Sequence, residues 1–399
     1  MRLWSRALCA ATLMIAAAAS AADVAPLNRE WRGRVAELGQ AGADELVLTA
    51  VGDAIWTHKV SAIPDPRLQA LFEVLRRSDI SYLNFEQVMA DKGFPTLKAI
   101  AKADPSIITE FTWAGTDLVS TANNHMMDFG PSGLETTMRV LSENGIKHAG
   151  AGMTLGDALR HTTVEKKGLK MALVSVMVSP GLDIGTAATT DSPGVAWVRG
   201  SAVRLVNGAQ IIAPWQGDLL AMENAIKQAR KDAQLVAVSM HFHWGDLEKI
   251  DPEGKQLIAR AAIDAGADLI LGHGPHLING IEFYKSKPIL YSIGNFAFQF
   301  PPGAYEFFPD ILKTVQRLSS QPELFEGMAV RMVLSTGGAF RRMELLPLAL
   351  TSAGDPHFVT GPQADAILAK ARTLSEPFGT KVNRSSWYAV VDLPGASAP

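Results

Sequence analysis

The chain has 399 residues, 47% of them hydrophobic and 19% charged, with a net charge of −3 and a pI near 6.3. That apolar content excludes a largely disordered chain, and the small charge gives no sign of a basic, nucleic-acid-binding surface. The length exceeds one domain of about 150 residues, although large α/β units run longer.

In chain order, Arg2 and Arg6 precede an apolar run from Ala7 to Ala19 and a small-x-small end, Ala19-Ser20-Ala21. This pattern predicts a cleaved signal peptide over residues 1–21 and a secreted or periplasmic protein. The run is shorter than the roughly 20 residues a membrane span requires. Cys9, the only cysteine, lies inside it, so the mature chain would hold no disulfide and no thiolate ligand.

Residues 22–44 read as a linker with a short helix around Trp31–Leu38. From residue 46, short apolar runs alternate with helical periodicity, which predicts βαβ units with buried strands. The expected strands are Leu46–Val51, Ile80–Leu83, Leu118–Thr121, Met171–Val178, Leu235–Met240, Asp268–Leu271, Ile281–Tyr284 and Pro288–Ser292. Helices are expected over Pro66–Arg77, Ser132–Asn144, Asp218–Lys231 and Pro252–Ala265, the last capped by Asp251-Pro252. Residues 179–216, rich in Gly, Pro, Thr and Asp, read as a long loop or lid. Residues 45–300 form the main domain. Residues 301–399 form an extension in which Gly327–Ser335 and Arg341–Leu350 make a hairpin that completes the sheet, followed by a helix and a last strand.

The chemistry-bearing residues follow the strands directly. They are Asp53, Asn84-Phe85-Glu86, Asn123-Asn124-His125 with Asp128, His241-Phe242-His243, His273-Gly274-Pro275-His276 and Gly294-Asn295. Parallel strands deliver such groups to one edge, where α/β proteins bind ligands. Asp, Glu, Asn and His in one cluster suit Zn, Mn, Fe or Mg. One or two such divalent ions could activate water and clamp a phosphoryl group. His241 and His243 are read here as pointing to opposite faces, with His243 in the site and His241 behind it. His58, His148, His161 and His357 lack such a context and read as ordinary residues.

Several strings resemble the capsule-synthesis protein CapA family, associated with poly-γ-glutamate biosynthesis within the metallophosphoesterase-like superfamily. They are Ala50-Val51-Gly52-Asp53, Leu83-Asn84-Phe85-Glu86, the segment from Thr121 to Gly130, His243-Trp244-Gly245, Gly272-His273-Gly274-Pro275-His276 and Tyr291-Ser292-Ile293-Gly294-Asn295-Phe296. The resemblance implies a four-layer αββα sandwich similar to calcineurin-like metallophosphoesterases. It implies that Asp53, Glu86, Asn124, His243, His273 and His276 ligate metal. His125 would stand in the general-acid position, and His125 with Asp128 make the candidate catalytic pair. The chain departs from the pattern at Gly274, where relatives often carry His, at Leu247, and at Ala54-Ile55, which replace the x-His of an Asp-x-His ligand pair. Three functions fit. One is a capsule or poly-γ-glutamate synthesis or export protein working with membrane-bound machinery on an anionic polymer. The second is a periplasmic metal-dependent phosphatase or phosphodiesterase acting on a phosphoester. The third is a non-catalytic binding protein.

Overall fold

A computed structural model describes residues 27–90, 101–180, 186–204, 210–242, 252–299 and 320–395. The strands that matter here are β1 (Glu45–Ile55), β2 (Ile80–Phe85), β3 (Leu118–Ser120), β4 (Lys147–Ala149), β5 (Leu169–Ser179), β6 (Trp197–Arg204), β7 (Leu235–Phe242), β8 (Leu269–His273), β9 (Lys287–Leu290), β10 (Asn295–Phe298), β11 (Glu326–Ser335) and β12 (Phe340–Leu350). The helices are α1 (Arg29–Glu37), α2 (Pro66–Arg77), α3 (Ile108–Trp113), α4 (Gly130–Glu143), α5 (Gln216–Asp232), α6 (Pro252–Asp264) and α7 (Gly361–Ser375).

Two sheets result. In the first, β1, β2, β3 and β4 run parallel, and β11 and β12 add antiparallel on the other side of β1. β10 lies parallel to the end of β1, with Asn295 beside Asp53. The second sheet has the parallel order β6-β5-β7-β8-β9.

The two-residue period of a strand sorts each side chain into one of three cores. On β7, Leu235 and Ala237 face the first sheet and pack with Leu46, Leu48, Leu173 and Leu271. Val236, Val238, Met240 and Phe242 face outward onto Met222 and Ile226 of α5 and Ile258 of α6. On the far side of the first sheet, Val51, Leu83 and Phe85 pack against Leu71 and Phe72 of α2. Helix, sheet, sheet and helix therefore stack as the expected four-layer αββα sandwich.

The expected elements are present, several of them longer by one to five residues and a few shorter by one. The exception to the pattern is 179–216, read as a loop. Within it β6 pairs with Gln210–Pro214 at the edge of the second sheet. Its strand signal, Val198 and Ile212 buried in the outer core, is diluted by the surrounding Gly and Thr. The C-terminal hairpin joins β1 along the register Glu45↔Ser335 to Ala50↔Val330. The signal-peptide segment, the Asp251 cap and His243-Trp244-Gly245 lie outside the described residues. No helix among the described residues is long and apolar enough to cross a membrane.

Candidate metal centre

Between the sheets, the side chains change character along the strand direction. The lower levels are aliphatic. Next comes a hydroxyl level, where the Tyr82 hydroxyl donates to Ser239 Oγ at 2.7 Å and Ser120 Oγ lies 2.6 Å from Ser175 Oγ. Above it, at the carboxyl ends, lie Asp53, Asn84, His241 and His273, all essentially inaccessible to solvent.

Asp53 sits where the register of β1 shifts against both neighbours. Its carboxylate accepts from Asn84 Nδ2 at 2.8 Å and from the Gly274 amide at 3.0 and 3.2 Å. His273 Nδ1 lies 3.6 Å away and His276 Nδ1 3.4 Å away. His241 Nδ1 lies 3.0 Å from His273 Nδ1, and its Nε2 meets Asn124 Oδ1 at 2.8 Å. Glu86 is fully buried, and among the described residues neither of its carboxylate oxygens has a hydrogen-bond partner. Its neighbours are His276 Nε2 at 3.5 Å and His241 Nε2 at 3.6 Å.

Two groups of three donors emerge, each within 4.8 Å of one another: Asp53, His241 and His273; and Asp53, Glu86 and His276. Asp53 belongs to both. Mixed nitrogen and oxygen donors, buried and converging, match a divalent transition ion or Mg²⁺. The two Glu86 oxygens, without a hydrogen-bond partner among the described residues, are the sharpest sign of fit, because a buried carboxylate is strongly disfavoured unless a cation compensates it.

The electrostatics agree. Burial alone would raise the Asp53 carboxyl. The hydrogen bond and charge of His276, with the charges of His273 and His241, instead hold it below the usual carboxylate range. Burial pushes Glu86 well up, helped by the neighbouring Asp53 charge. Burial would lower His276, but Glu86, Asp53 and Asn295 push it up to about 10. Burial pushes His273 down to about 4. Without a metal, protons on the second group stand in for the cation.

The expected residues converge as follows. Asp53, Glu86, His273 and His276 meet in the two groups, and Asn124 touches them through His241. His125 Nδ1 pairs with Asp128 Oδ2 at 2.8 Å, as the three-residue spacing suggests. His243 lies outside the described residues. His241 differs from expectation. Side chains two apart on a strand share a face, so the opposite-face reading of His241 and His243 fails on strand geometry itself. His241 follows Leu235, Ala237 and Ser239 into the space between the sheets and stands within one of the donor groups. Ser239 and Tyr82 are not legible as site residues because they lie inside apolar strands. Asn295 Oδ1 orients His276 Nδ1 at 2.8 Å.

Gly274 also acquires a reason. Its φ is +101°, and a Cβ there would lie 2.8 Å from the Phe242 carbonyl oxygen and 3.1 Å from His241 Cε1. The residue that looks like a missing imidazole serves instead through its amide, which donates to Asp53.

Comparison with known proteins now decides the family. The model of the bacterial capsule synthesis protein PGA_cap family matches residues 47–300, well over half of the chain. The chain belongs to this family. It is 30% identical to the PGA biosynthesis protein CapA of Bacillus subtilis, over 64% of this chain and 64% of that protein. It is 29% identical to the capsule biosynthesis protein CapA of Bacillus anthracis, over 64% of this chain and 60% of that one. The chain thus spans under two thirds of those two relatives. An uncharacterized Sinorhizobium fredii protein, y4sH, is 26% identical over 88% of this chain and 94% of its own length. Among solved structures, a Mycoplasma pneumoniae phosphatase is 11% identical, covers 78% of this chain and 95% of its own, and has a TM-score of 0.44.

One prediction concerns the hydroxyl level. Ser239 Oγ lies 2.6 Å from His273 Nε2, which leaves Nδ1 as the ligand atom of that imidazole. Ser239→Ala is expected to weaken metal binding about 10- to 100-fold, the usual effect of removing a group that orients a ligand histidine. Chelator competition measures this. An unchanged affinity would remove Ser239 from the site.

Proposed function

We propose that this protein acts in the synthesis or export of a poly-γ-glutamate-type capsular polymer outside the cytoplasm, through a centre that holds up to two divalent ions. The observation that carries the reading is the pair of donor groups sharing Asp53, in a chain of the PGA_cap family. Asp53, His241 and His273 would hold one ion, and Asp53, Glu86 and His276 the other. When bound, a divalent ion supplies Lewis-acid polarisation of an anionic oxygen. Asp53 orients both groups, while Asn295 and Ser239 fix the rings of His276 and His273. The centre is enclosed between the sheets, which strengthens each charge interaction.

The test is genetic and chemical. Deletion of the gene is expected to abolish the surface polymer, with restoration by the wild type and not by Glu86→Ala. Restoration by Glu86→Ala would separate the polymer role from the metal centre.

A second reading, a phosphoester hydrolase, is favoured by the His125–Asp128 pair. Asp128 is 1% exposed and holds His125 through Nδ1, leaving Nε2 to exchange a proton. On that reading, turnover of an aryl phosphate ester by metal-loaded protein falls about 10²- to 10⁴-fold in His125→Ala. Full turnover in the variant would dismiss His125 as the acid.

A further inference from the structure

His58, which looks ordinary in sequence, sits in a turn pinned by several buried side chains. Its Nε2 lies 2.7 Å from Asp355 Oδ1, with the imidazole 46% exposed and the carboxylate 10% exposed. Asp355 is itself fixed, accepting from Gln299 Nε2 at 2.9 Å and from the Thr351 hydroxyl at 3.2 Å.

The backbone carrying His58 is held by three buried side chains. Gln299 Oε1 accepts from the amides of Thr57 and His58 at 2.8 and 2.9 Å. Glu110 of α3, 3% exposed, accepts from the amides of Val60 and Ser61 at 2.9 and 2.8 Å. Gln87 accepts from the Trp56 amide. The turn bearing Asp355 is packed just as tightly. Gly354 has φ +84°, and a Cβ there would fall 2.0 Å from the Phe298 carbonyl oxygen.

A surface histidine–aspartate pair adds little to stability and needs no such scaffold. Fixing a solvent-facing imidazole by buried groups is what a ligand contact requires. Its place in the fold supports this. Residues 56–58 follow β1, Gln299 follows β10 and Asp355 follows β12, so all three leave the same carboxyl edge that carries the metal centre. β10 links them physically. Asn295 at its start holds His276, and the Phe298 ring at its end packs, tilted, against the His276 ring at 5.0 Å. Four residues of strand separate Asn295 from Gln299, about 13 Å.

We propose that His58, oriented by Asp355, is a binding residue for an anionic group of an extended ligand whose other end lies at the metal centre. The inference rests on the polymer reading above and adds the ligand's shape. With Nε2 committed to Asp355, Nδ1 is the ring atom left for a ligand, and in the imidazolium it donates to a carboxylate or phosphate oxygen. A ligand that reaches both places is a linear polyanion, not a small ester.

The test uses the full mature protein loaded with Mn²⁺. It compares wild type, His58→Ala and His58→Gln in binding γ-linked oligoglutamate, linear polyphosphate and inorganic phosphate. Weakening of one linear polyanion by about tenfold or more in His58→Ala, the loss of one charge-assisted hydrogen bond, supports the proposal and names the ligand. Partial recovery in His58→Gln, with Mn²⁺ and inorganic phosphate binding unchanged, separates contact from folding. Equal binding of both linear probes by His58→Ala and wild type overturns the proposal, as does failure of wild type to bind either. Equal binding leaves the polymer reading standing, because that reading fails on the complementation experiment and not on this one.

Discussion

Asp53→Asn is expected to strip metal from both donor groups, while Glu86→Gln removes it from one. Asp53 is the only residue common to the two groups, and Glu86 belongs to the second alone. Plasma mass spectrometry of reconstituted protein should read two, one and near-zero equivalents for wild type, Glu86→Gln and Asp53→Asn; below about 0.2 counts as absent for a site that binds tightly. The two variants also separate in the metal-free state. The Asp53 carboxylate accepts from Asn84 and Gly274, so an amide turned toward those donors loses an acceptor and destabilises by about 1–3 kcal/mol. Glu86 has no such partners among the described residues, and burial already favours its neutral form, so a neutral isostere removes nothing the metal-free fold relies on. Metal-free Glu86→Gln should therefore melt at or above the wild-type temperature. In the wild type, metal at 100 times its dissociation constant adds about 2.7 kcal/mol, a gain Asp53→Asn should lack. Two ions retained in Asp53→Asn would refute the shared-carboxylate arrangement.

The layers and the edge of the site were legible because both depend on strand period and strand order. Apolar runs of five to eight residues announce buried parallel strands, and polar residues immediately after them announce a carboxyl-end cluster. Asp53, Glu86, His273 and His276 all follow that rule. What stayed hidden depends on contacts across the interlayer space. Ser239 looks like a small residue in an apolar strand, and only the approach of Tyr82 from the other sheet and His273 from the neighbouring strand gives it a role. Gly274 looks like a loss and is a backbone donor. His58 lacks any sequence context, because its partner Asp355 lies 297 residues away. The period could have settled His241, since Leu235, Ala237, Ser239 and His241 share one face.

Metal loading should depend on pH differently in the two groups. His273 is pushed down to about 4 by burial, so its imidazole is already neutral near pH 7 and gives up no proton when a metal enters. His276 is pushed up to about 10, and Glu86 is well above its ordinary range, so the second group holds protons that a metal must displace. Each displaced proton makes the apparent affinity rise about tenfold per pH unit. The sign for folding is opposite. His276 stabilises the metal-free fold below its unfolded value of about 6.5, and that contribution fades as pH rises toward 10. Raising the pH thus weakens the proton-held pocket and strengthens the metal-held one. Titration with Mn²⁺ near pH 6 is expected to fill the Asp53, His241 and His273 group first, with the other filling near pH 8.5. Calorimetry in buffers of different ionisation enthalpy should show protons released with the second ion and few with the first. Equal proton release for both ions would mean that the Glu86 and His276 pair does not hold the second one.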